Sequence, residues 1–272
     1  MPRGILIILP VLNEARNIGP LLSALGGELA GTNHAICVID DGSVDGTVEI
    51  VLQTKPTLNG RVHLVRRRKR HRGSQRGSAL KCGLDWGIQD PGMDLFVEID
   101  GDLSHRIEEL KIGIDLVESG RADVAIASKY LPGSRVVGRT FGRRLVSRVC
   151  SLVTSLFIDP AVSDYSNGYR FYSRPAAMIV TGHQIRYGSP IYLSEVLALW
   201  LKHGLKVLEF PSTYVGRNEG LSKLRIIDLI KAAIAVVEIS CRYHLTGFRR
   251  ISQSSSRLGP ASDTAPVITD KK

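Results

Sequence analysis

The sequence reads Leu95-Phe-Val-Glu-Ile-Asp-Gly-Asp-Leu-Ser-His105 near its middle, where a short apolar run ends abruptly in two aspartates. Residues 95–99 are rich in β-branched and aromatic side chains, which predicts a buried strand. Carboxylates at the carboxyl end of such a strand lie where open α/β sheets bind ligands. Asp100 and Asp102 flank the small Gly101, which leaves room for a diphosphate and for Mg²⁺ or Mn²⁺, cations that prefer oxygen ligands. Taken alone, the same residues also fit an ordinary turn after a strand.

The composition is that of a globular protein with an excess of positive charge. The 272 residues are 43% hydrophobic and 23% charged, which suffices for one large domain or two small ones. The formal net charge of +10 indicates an anionic partner: nucleic acid, an anionic membrane surface or phosphorylated substrates. The cysteines are far apart and form no C-x-x-C pair. This spacing excludes a zinc ribbon and predicts a reducing compartment.

No stretch of the sequence fits a secretory signal peptide or a transmembrane helix. The apolar residues 4–12 are few, are interrupted by Pro10 and are followed by polar residues. A spanning helix needs about eighteen or more apolar residues. The longest candidates, 149–158 and 232–237, are shorter and are bounded by charged residues. We therefore expect a cytoplasmic protein that is peripherally associated with a membrane.

Strands and helices are predicted to alternate along the first half of the chain. The expected strands are 5–9, 35–39, 62–65, 95–99 and 123–128. The expected helices are 13–25, which we expect to stop at Gly26-Gly27, then 47–53, 78–88 and 107–119. This order predicts βαβ units and a parallel sheet, in which the acids after the second and fourth strands lie along one edge. An NAD-type Rossmann site and a P-loop are excluded because neither glycine motif is present.

The basic run Arg66-Arg-Arg-Lys-Arg-His-Arg72, which continues to Arg76, has three open interpretations. It fits contact with nucleic acid, a loop over phosphorylated ligands or anionic lipid, or a solvated loop. No aromatic residue interleaves the run, which argues against a stacking platform for single strands. A nucleic-acid function also leaves the acids at the strand ends unexplained.

Two later segments have an amphipathic pattern. Residues 139–158 place Arg143, Arg144 and Arg148 before ten uncharged residues, which fits a helix lying in a membrane interface or an ordinary core helix. Residues 223–241 have the same dual character. The chain after residue 252 lacks periodicity, so we expect a domain over 1–245 and a disordered tail over 246–272.

Five motifs stand in a definite order between residue 5 and about residue 225. They are Pro10-Val-Leu-Asn-Glu14, Asp40-Asp-Gly-Ser-Val-Asp-Gly-Thr47, Asp100-Gly-Asp-Leu-Ser-His105, Ser163-Asp-Tyr-Ser-Asn-Gly-Tyr-Arg-Phe-Tyr172 and Arg217-Asn-Glu-Gly-Leu-Ser-Lys223. Together they resemble the family 2 glycosyltransferases of GT-A fold, in the dolichyl-phosphate mannose synthase branch. The resemblance implies a Rossmann-like, mostly parallel α/β sheet flanked by helices, with peripheral amphipathic helices and a disordered C-terminal tail.

The resemblance also implies a role for each matching residue. Asp102 would bind the metal, with Ser104 beside it. The catalytic residues would be Asp100, Asp102, Arg217 and Lys223. The nucleotide sugar would be bound by Pro10, Glu14, Ile39, Asp41, Asp100, Gly101, Lys129, Arg217 and Lys223. The acceptor phosphate would be held by Arg143, Ser147 and Lys129, which stands where the family has an arginine.

The activity implied by the resemblance is the metal-dependent transfer of a hexose, mannose from GDP-mannose, to a dolichyl-type polyprenyl phosphate at a membrane surface. The leaving diphosphate must be neutralised, which Mg²⁺ or Mn²⁺ together with Arg and Lys can do. A lipid phosphate is already anionic, so no strong general base is needed. The alternatives are UDP-glucose or another nucleotide sugar as donor, a saccharide acceptor, or a basic nucleic-acid-binding protein.

Overall fold

The computed structural model describes residues 4–59, 61–67, 76–188, 191–216 and 226–243. The structure likewise does not describe the side chains of Arg143 and of residues 226–230. The predictions for Arg217, Lys223, most of the basic run and the tail 246–272 therefore fall on residues that the structure does not describe.

Up to residue 128 the described chain alternates strands and helices, as the sequence predicts for the first half. The strands are β1 Gly4–Val11, β2 His34–Asp40, β3 Val62–Arg66, β4 Met93–Glu98, β5 Val124–Ser128, β6 Arg135–Val137, β7 Arg170–Ser173, β8 Val207–Pro211 and β9 Thr213–Val215. The helices are α1 Ala15–Glu28, α2 Thr47–Thr54, α3 Arg76–Gly87, α4 Leu110–Glu118, α5 Phe141–Phe157, α6 Arg174–Thr181, α7 Tyr192–Lys202 and α8 Ile226–Tyr243. Short 3-10 helices cover Lys55–Leu58 and Ile107–Glu109.

A seven-stranded sheet in the order β3-β2-β1-β4-β7-β5-β8 forms the centre of the fold. Its pairings are parallel except those of β7, which runs antiparallel to both β4 and β5. The mostly parallel sheet is thus confirmed, although β7 is not among the strands expected from the sequence. A second, two-stranded sheet pairs β6 with β9 in parallel.

The central strands are apolar throughout because helices cover both faces of the sheet. In β1, Ile5, Ile7 and Leu9 belong to the core cluster that also contains the apolar side chains of α1 and α4. The alternate residues Leu6 and Ile8 belong to the opposite cluster, with those of α3, α6 and α7. Two cores on one sheet make this a three-layer α/β fold. Among the described helices, none is long and apolar enough to cross a bilayer.

The prediction that the first helix stops at Gly26-Gly27 is wrong, because α1 continues to Glu28. A Cβ atom at Gly26 would lie 2.3 Å from Cδ2 of Leu58. The glycine therefore allows α1 to pack closely against the 3-10 helix after α2. Gly26 would ordinarily indicate a helix end. Its presence inside α1 is explained by close packing between elements, which the local sequence does not reveal.

We expect Gly113→Ala to lower the free energy of unfolding by about 1–3 kcal/mol, because a new methyl group would overpack the core. Gly113 lies on α4, and a Cβ atom there would be 2.4 Å from the ring of the buried Phe171 in β7. Gly27→Ala is the matched control, since Gly27 is exposed on α1 with no neighbouring atom within 4 Å. The Gly27→Ala change should raise the free energy of unfolding by about 0.4–1 kcal/mol. Urea unfolding measures both, and equal midpoints for the two variants would contradict this packing.

Candidate active site

Acidic residues meet at the carboxyl edge of the parallel strands. Strand β1 lies between β2 and β4 and runs parallel to both. The residues that follow β2, including Asp41, and those that follow β4, Asp100 and Asp102, therefore flank the end of β1. The predicted gathering of both acidic clusters along one edge is confirmed.

The two aspartates at the end of β2 differ in their surroundings. Asp40 is fully buried and accepts hydrogen bonds from the backbone N–H groups of Gly42, at 3.1 Å, and Ser43, at 3.2 Å. It therefore shapes the loop. Asp41 keeps some exposure and pairs with Nε of Arg67 at 3.4 Å, while its backbone N–H donates to the carbonyl of Val11. Of the pair, Asp41 is the residue that reaches the surface of the site.

Asp100 is held from two sides. One carboxylate oxygen is ion-paired with the guanidinium of Arg76, and the other accepts a hydrogen bond from Nε2 of His105 at 3.1 Å. Burial lowers the pKa of His105 to about 3, so the imidazole is neutral at physiological pH. A neutral ring that donates to a carboxylate carries its proton on Nε2. Both oxygens of Asp100 thus have protein partners.

Asp102 lies in a tight turn beside the buried hydroxyl group of Ser104. Its Oδ1 accepts the backbone N–H of Ser104 at 3.0 Å. Ser104 is buried, and among the described residues nothing hydrogen-bonds its Oγ. The same described ranges contain no group of three His, Cys, Asp or Glu side chains that could hold a metal alone. One carboxylate with an adjacent hydroxyl suits Mg²⁺ or Mn²⁺ that also takes phosphate oxygens from a substrate.

A cleft of about 600 Å³ opens beside these acids. It is lined by Leu12, Asn13, Glu14, Ala15, Arg16, Asn17, Asp45, Asp102, Leu103, Val215 and Gly216. Asn13 and Leu103 have φ angles of 57° and 58°. Leucine rarely adopts this left-handed conformation, and such strain concentrates at functional sites.

Three of the predicted nucleotide-binding residues shape the site through their backbone and their packing. The side chain of Ile39 is fully buried in the core, and Pro10 pairs with it across β1 and β2. A Cβ atom at Gly101 would lie 2.8 Å from Cγ1 of Val11. Gly101 therefore lets the end of β4 contact β1, a packing reason in addition to the room for a ligand that the sequence predicts.

Glu14 begins the turn of chain that enters α1. Its backbone N–H donates to Oγ1 of Thr47 at 2.8 Å, and its Oε2 accepts from Nδ2 of Asn17 at 2.7 Å. Asp45 accepts from the backbone N–H of Ala15 at 3.0 Å. These bonds join the starts of α1 and α2, so the walls of the cleft are fixed relative to each other.

A buried cation lies at the end of β5. The Lys129 ammonium donates to Oγ of Ser166 at 3.0 Å and is 3.6 Å from Oδ2 of Asp164. It also lies 5.7 and 5.3 Å from the ring centroids of Tyr130 and Tyr214. Burial lowers the pKa of Lys129, and the charge of Asp164 opposes that shift. The cation is therefore held by one counter-ion and two aromatic faces.

Tyr130 and Tyr214 also position other polar groups. The Tyr130 hydroxyl is 2.7 Å from Oγ of Ser147, on α5. The guanidinium of Arg139 lies 4.7 Å from the ring of Tyr214, and that of Arg148 lies 5.2 Å from the ring of Tyr130. Lys129 and Ser147 thus share one cluster with Arg139, to which sequence reasoning gave no role, and with Arg148 of the predicted amphipathic helix.

Tyr214 connects this cationic cluster with the acids. Its ring meets the ring of His105 edge-on, with centroids 5.6 Å apart, and the two backbones form a β-bridge. Because His105 binds Asp100 and Tyr214 packs on Lys129, the acids and the cations belong to one continuous site.

Sequence reasoning also missed two carboxylates that hold this site together, the fully buried Asp164 and the partly buried Glu209. Asp164 accepts from the backbone N–H groups of Lys129, Ser166 and Asn167, at 2.9 to 3.0 Å. Glu209, on β8, accepts from the backbone N–H groups of Ser163 and Asp164, both at 2.8 Å. The position of Asp164 in the quoted Ser163-to-Tyr172 motif could have drawn attention to it, whereas no local pattern marks Glu209.

We expect Asp164→Asn to lower the free energy of unfolding by about 3–5 kcal/mol, because Lys129 would be left as a buried, uncompensated charge. The matched control is Asp115→Asn. Asp115 accepts from Lys111 at 3.1 Å on the exposed face of α4. Exposed pairs of this kind contribute about 0.3–0.5 kcal/mol. Urea unfolding of both variants is the measurement, and similar losses would show that burial does not govern the Lys129 pair.

Comparison with known proteins agrees with this geometry. The model of the glycosyl transferase family 2 matches residues 6–178. The polyprenol monophosphomannose synthase of Mycolicibacterium smegmatis is 31% identical over 250 residues, which cover 90% of each chain. The dolichol-phosphate mannosyltransferase of Pyrococcus furiosus is 29% identical over 220 residues, covering 80% of this chain and 58% of that protein.

Solved structures show the same fold at lower identity. One is glucosyl-3-phosphoglycerate synthase from Mycobacterium tuberculosis in complex with Mn²⁺, UDP-glucose and phosphoglyceric acid. It superposes with a TM-score of 0.65 at 18% identity, over 88% of this chain and 80% of that one. The matched family model covers more than half of the sequence and includes the strand ends that carry the acids. This chain therefore belongs to glycosyl transferase family 2 and is a glycosyltransferase.

Proposed function

We propose that this glycosyltransferase moves mannose from GDP-mannose to a polyprenyl phosphate at a membrane surface. The observation that carries the proposal is the contact between two unlike halves of one site: the acids after β2 and β4, and the cationic cluster around Lys129. A reaction between two phosphorylated substrates needs both. The names of the relatives support mannose as the sugar and a polyprenyl phosphate as the acceptor.

At the donor end, the acidic edge would bind the nucleotide sugar. Glu14 and Asp41 would accept hydrogen bonds from the nucleoside, with Pro10, Ile39 and Gly101 forming the floor. Asp102, with Ser104 beside it, would hold Mg²⁺ or Mn²⁺. Such a cation neutralises a leaving diphosphate when it is bound. Arg217 and Lys223 are proposed to add positive charge on the diphosphate.

At the acceptor end, the cationic cluster would receive the lipid phosphate. Lys129 and Ser147 are proposed to contact it, together with Arg143. The lipid phosphate is anionic at neutral pH, so it can attack the sugar carbon without losing a proton to a general base. What the protein must supply is positive charge that brings two anions together.

The direct test measures transfer from a panel of nucleotide sugars, GDP-mannose and UDP-glucose among them, with Mn²⁺ and with or without polyprenyl phosphate. We expect mannosyl lipid from GDP-mannose only when the lipid phosphate is present. Transfer to a soluble saccharide instead, or glucose transfer from UDP-glucose, would replace the proposed substrates and leave the glycosyltransferase class unchanged.

Asp102→Asn should remove most metal-dependent turnover, because the loss of a metal ligand weakens the stabilisation of the leaving group by several kcal/mol. The fold should survive, since the asparagine oxygen can still accept the Ser104 backbone N–H. Asp115→Asn, on the exposed face of α4, is the control and should retain parental turnover. Steady-state rates across a Mn²⁺ titration check this. Parental activity of Asp102→Asn at saturating Mn²⁺ would exclude the assignment.

Helix α5 packs with its small hydroxyl residues inward and its large apolar residues outward. Ser151, Thr154 and Ser155 are buried. The exposed apolar residues are Phe141, Leu145, Val149, Leu152, Val153, Leu156 and Phe157. Most of them recur every three or four residues, which places them on one side of the helix. A helix that faces water normally has the opposite arrangement, so we propose that α5 lies in a lipid surface.

Two further features support this membrane contact. The adjacent α8, whose Ser240 donates to the carbonyl of Phe157 at 2.7 Å, exposes Ile234 and Val237. Arg144 and Arg148 are exposed on α5 itself. Each arginine near an anionic lipid surface contributes about 1 kcal/mol. An apolar surface with basic groups on the same helix favours an anionic membrane.

We expect the double variant Leu152→Ser, Leu156→Ser to bind anionic liposomes several-fold more weakly than the parent, because it removes apolar surface that would otherwise be buried in lipid. Its matched control is Leu52→Ser, Ile112→Ser, which removes two similarly exposed residues from α2 and α4. Liposome flotation at low and high salt measures binding, which should weaken with salt without vanishing. Equal binding by both double variants would exclude α5 as the membrane surface.

A further inference from the structure

Arg76, the first residue of α3, joins several parts of the site that no motif connects. Its guanidinium donates to Oε1 of Glu98 through Nε at 3.1 Å and Nη2 at 3.0 Å, and pairs with Asp100 through Nη1. Nε also donates to the hydroxyl of Tyr192 at 2.9 Å. One side chain therefore links the start of α3, the end of β4 and the start of α7.

The surrounding chain leaves space for this guanidinium. A Cβ atom at Gly168 would lie 2.1 Å from Nη2 of Arg76, so any other residue there would displace it. A Cβ atom at Gly77 would lie 2.7 Å from the ring of Tyr192, whose hydroxyl accepts from Arg76. The side chain of Arg76 keeps only 17% of its surface exposed. The surrounding residues thus hold Arg76 in a defined position in the fold.

The charges around Arg76 divide into a buried part and a site-facing part. Glu98 is fully buried on β4, and burial raises its pKa while the guanidinium groups of Arg76 and Arg170 oppose that shift. Asp100, two residues further along the chain, is 22% exposed in its side chain. Because Glu98 fixes one part of the guanidinium, the remaining nitrogen is held in place for Asp100.

We propose that Arg76 is a positioning residue that fixes Asp100 for binding the nucleotide sugar. Arg76 and His105 each engage one oxygen of Asp100, so its carboxylate cannot rotate and presents its remaining lone pairs in fixed directions. Such an anion suits hydrogen bonds from the hydroxyl groups of a nucleoside or sugar. This inference rests on the proposed donor end of the site and assigns Asp100 to substrate binding.

The test is a double-mutant cycle made in a Glu98→Gln background, which avoids leaving an unpaired buried carboxylate when Arg76 is replaced. All four proteins of the cycle carry Glu98→Gln. The first carries no other change, the second adds Arg76→Met, the third adds Asp100→Asn, and the fourth adds both. Calorimetry with GDP and Mn²⁺ gives affinity, and initial rates give KM and kcat. We expect Arg76→Met to weaken GDP binding and raise the nucleotide-sugar KM by about tenfold to a hundredfold, with a smaller change in kcat.

If Arg76 acts through Asp100, the protein that carries both changes should bind no more weakly than the one that carries Asp100→Asn alone. Arg76→Lys, made in the same Glu98→Gln background, keeps the charge without the fork, so it should bind GDP more tightly than Arg76→Met does. Arg174→Met is the matched control. Its guanidinium donates to the carbonyls of Ile88, Asp90 and Met93, away from Asp100. It should alter stability without altering GDP affinity.

Additive losses from Arg76→Met and Asp100→Asn, or a lower urea midpoint with parental GDP affinity and KM, would overturn the inference and make Arg76 structural. These outcomes do not depend on whether the proposed function is correct. The parent could bind GDP, and Arg76→Met and Asp100→Asn could prove non-additive, while no sugar is transferred to polyprenyl phosphate. In that case the acceptor proposal fails and the role of Arg76 stands.

Discussion

The site depends on the hydrogen bonding of β1 between two parallel neighbours. Parallel pairing with β2 and β4 brings the carboxyl ends of three strands to one edge, so residues about 60 positions apart in sequence become neighbours in space. Gly101 permits the final contact with Val11. Without this pairing, Asp41 and Asp102 would be unrelated acids in two separate turns.

Repulsion among the acids is balanced by nearby cations, the partly buried Arg76 and the buried Lys129. Arg76 is shared between Glu98 and Asp100, and Lys129 is paired with Asp164. A buried charge is tolerated only when partners satisfy it. The same arrangement gives the site fixed charges of both signs, which stabilise charge development better than mobile surface groups can.

Helix α5 packs in the orientation opposite to the one expected of a helix that faces water. If water alone determined its packing, the helix would bury Leu152 and Leu156 and expose Ser151 and Thr154, yet the reverse is observed. Tyr130 fixes one side of the helix through Ser147. The helix therefore carries part of the cationic cluster on one side and an apolar surface on the other, an arrangement that would suit the lipid phosphate we propose as the acceptor.

The sequence by itself determined the strand and helix order of the first half, the mostly parallel sheet, the acids at the strand ends and the family, because hydrophobic periodicity and short motifs are local. It did not determine that α1 continues through Gly26, that β7 enters antiparallel, or which face of α5 is buried. Nor did it pair Arg76 with Asp100 or Lys129 with Asp164. Those partners are 24 and 35 residues apart in the sequence, and only the packing of whole elements brings them together. A charge pair of this kind is decided by tertiary structure because its energy depends on burial and distance, neither of which exists along an unfolded chain.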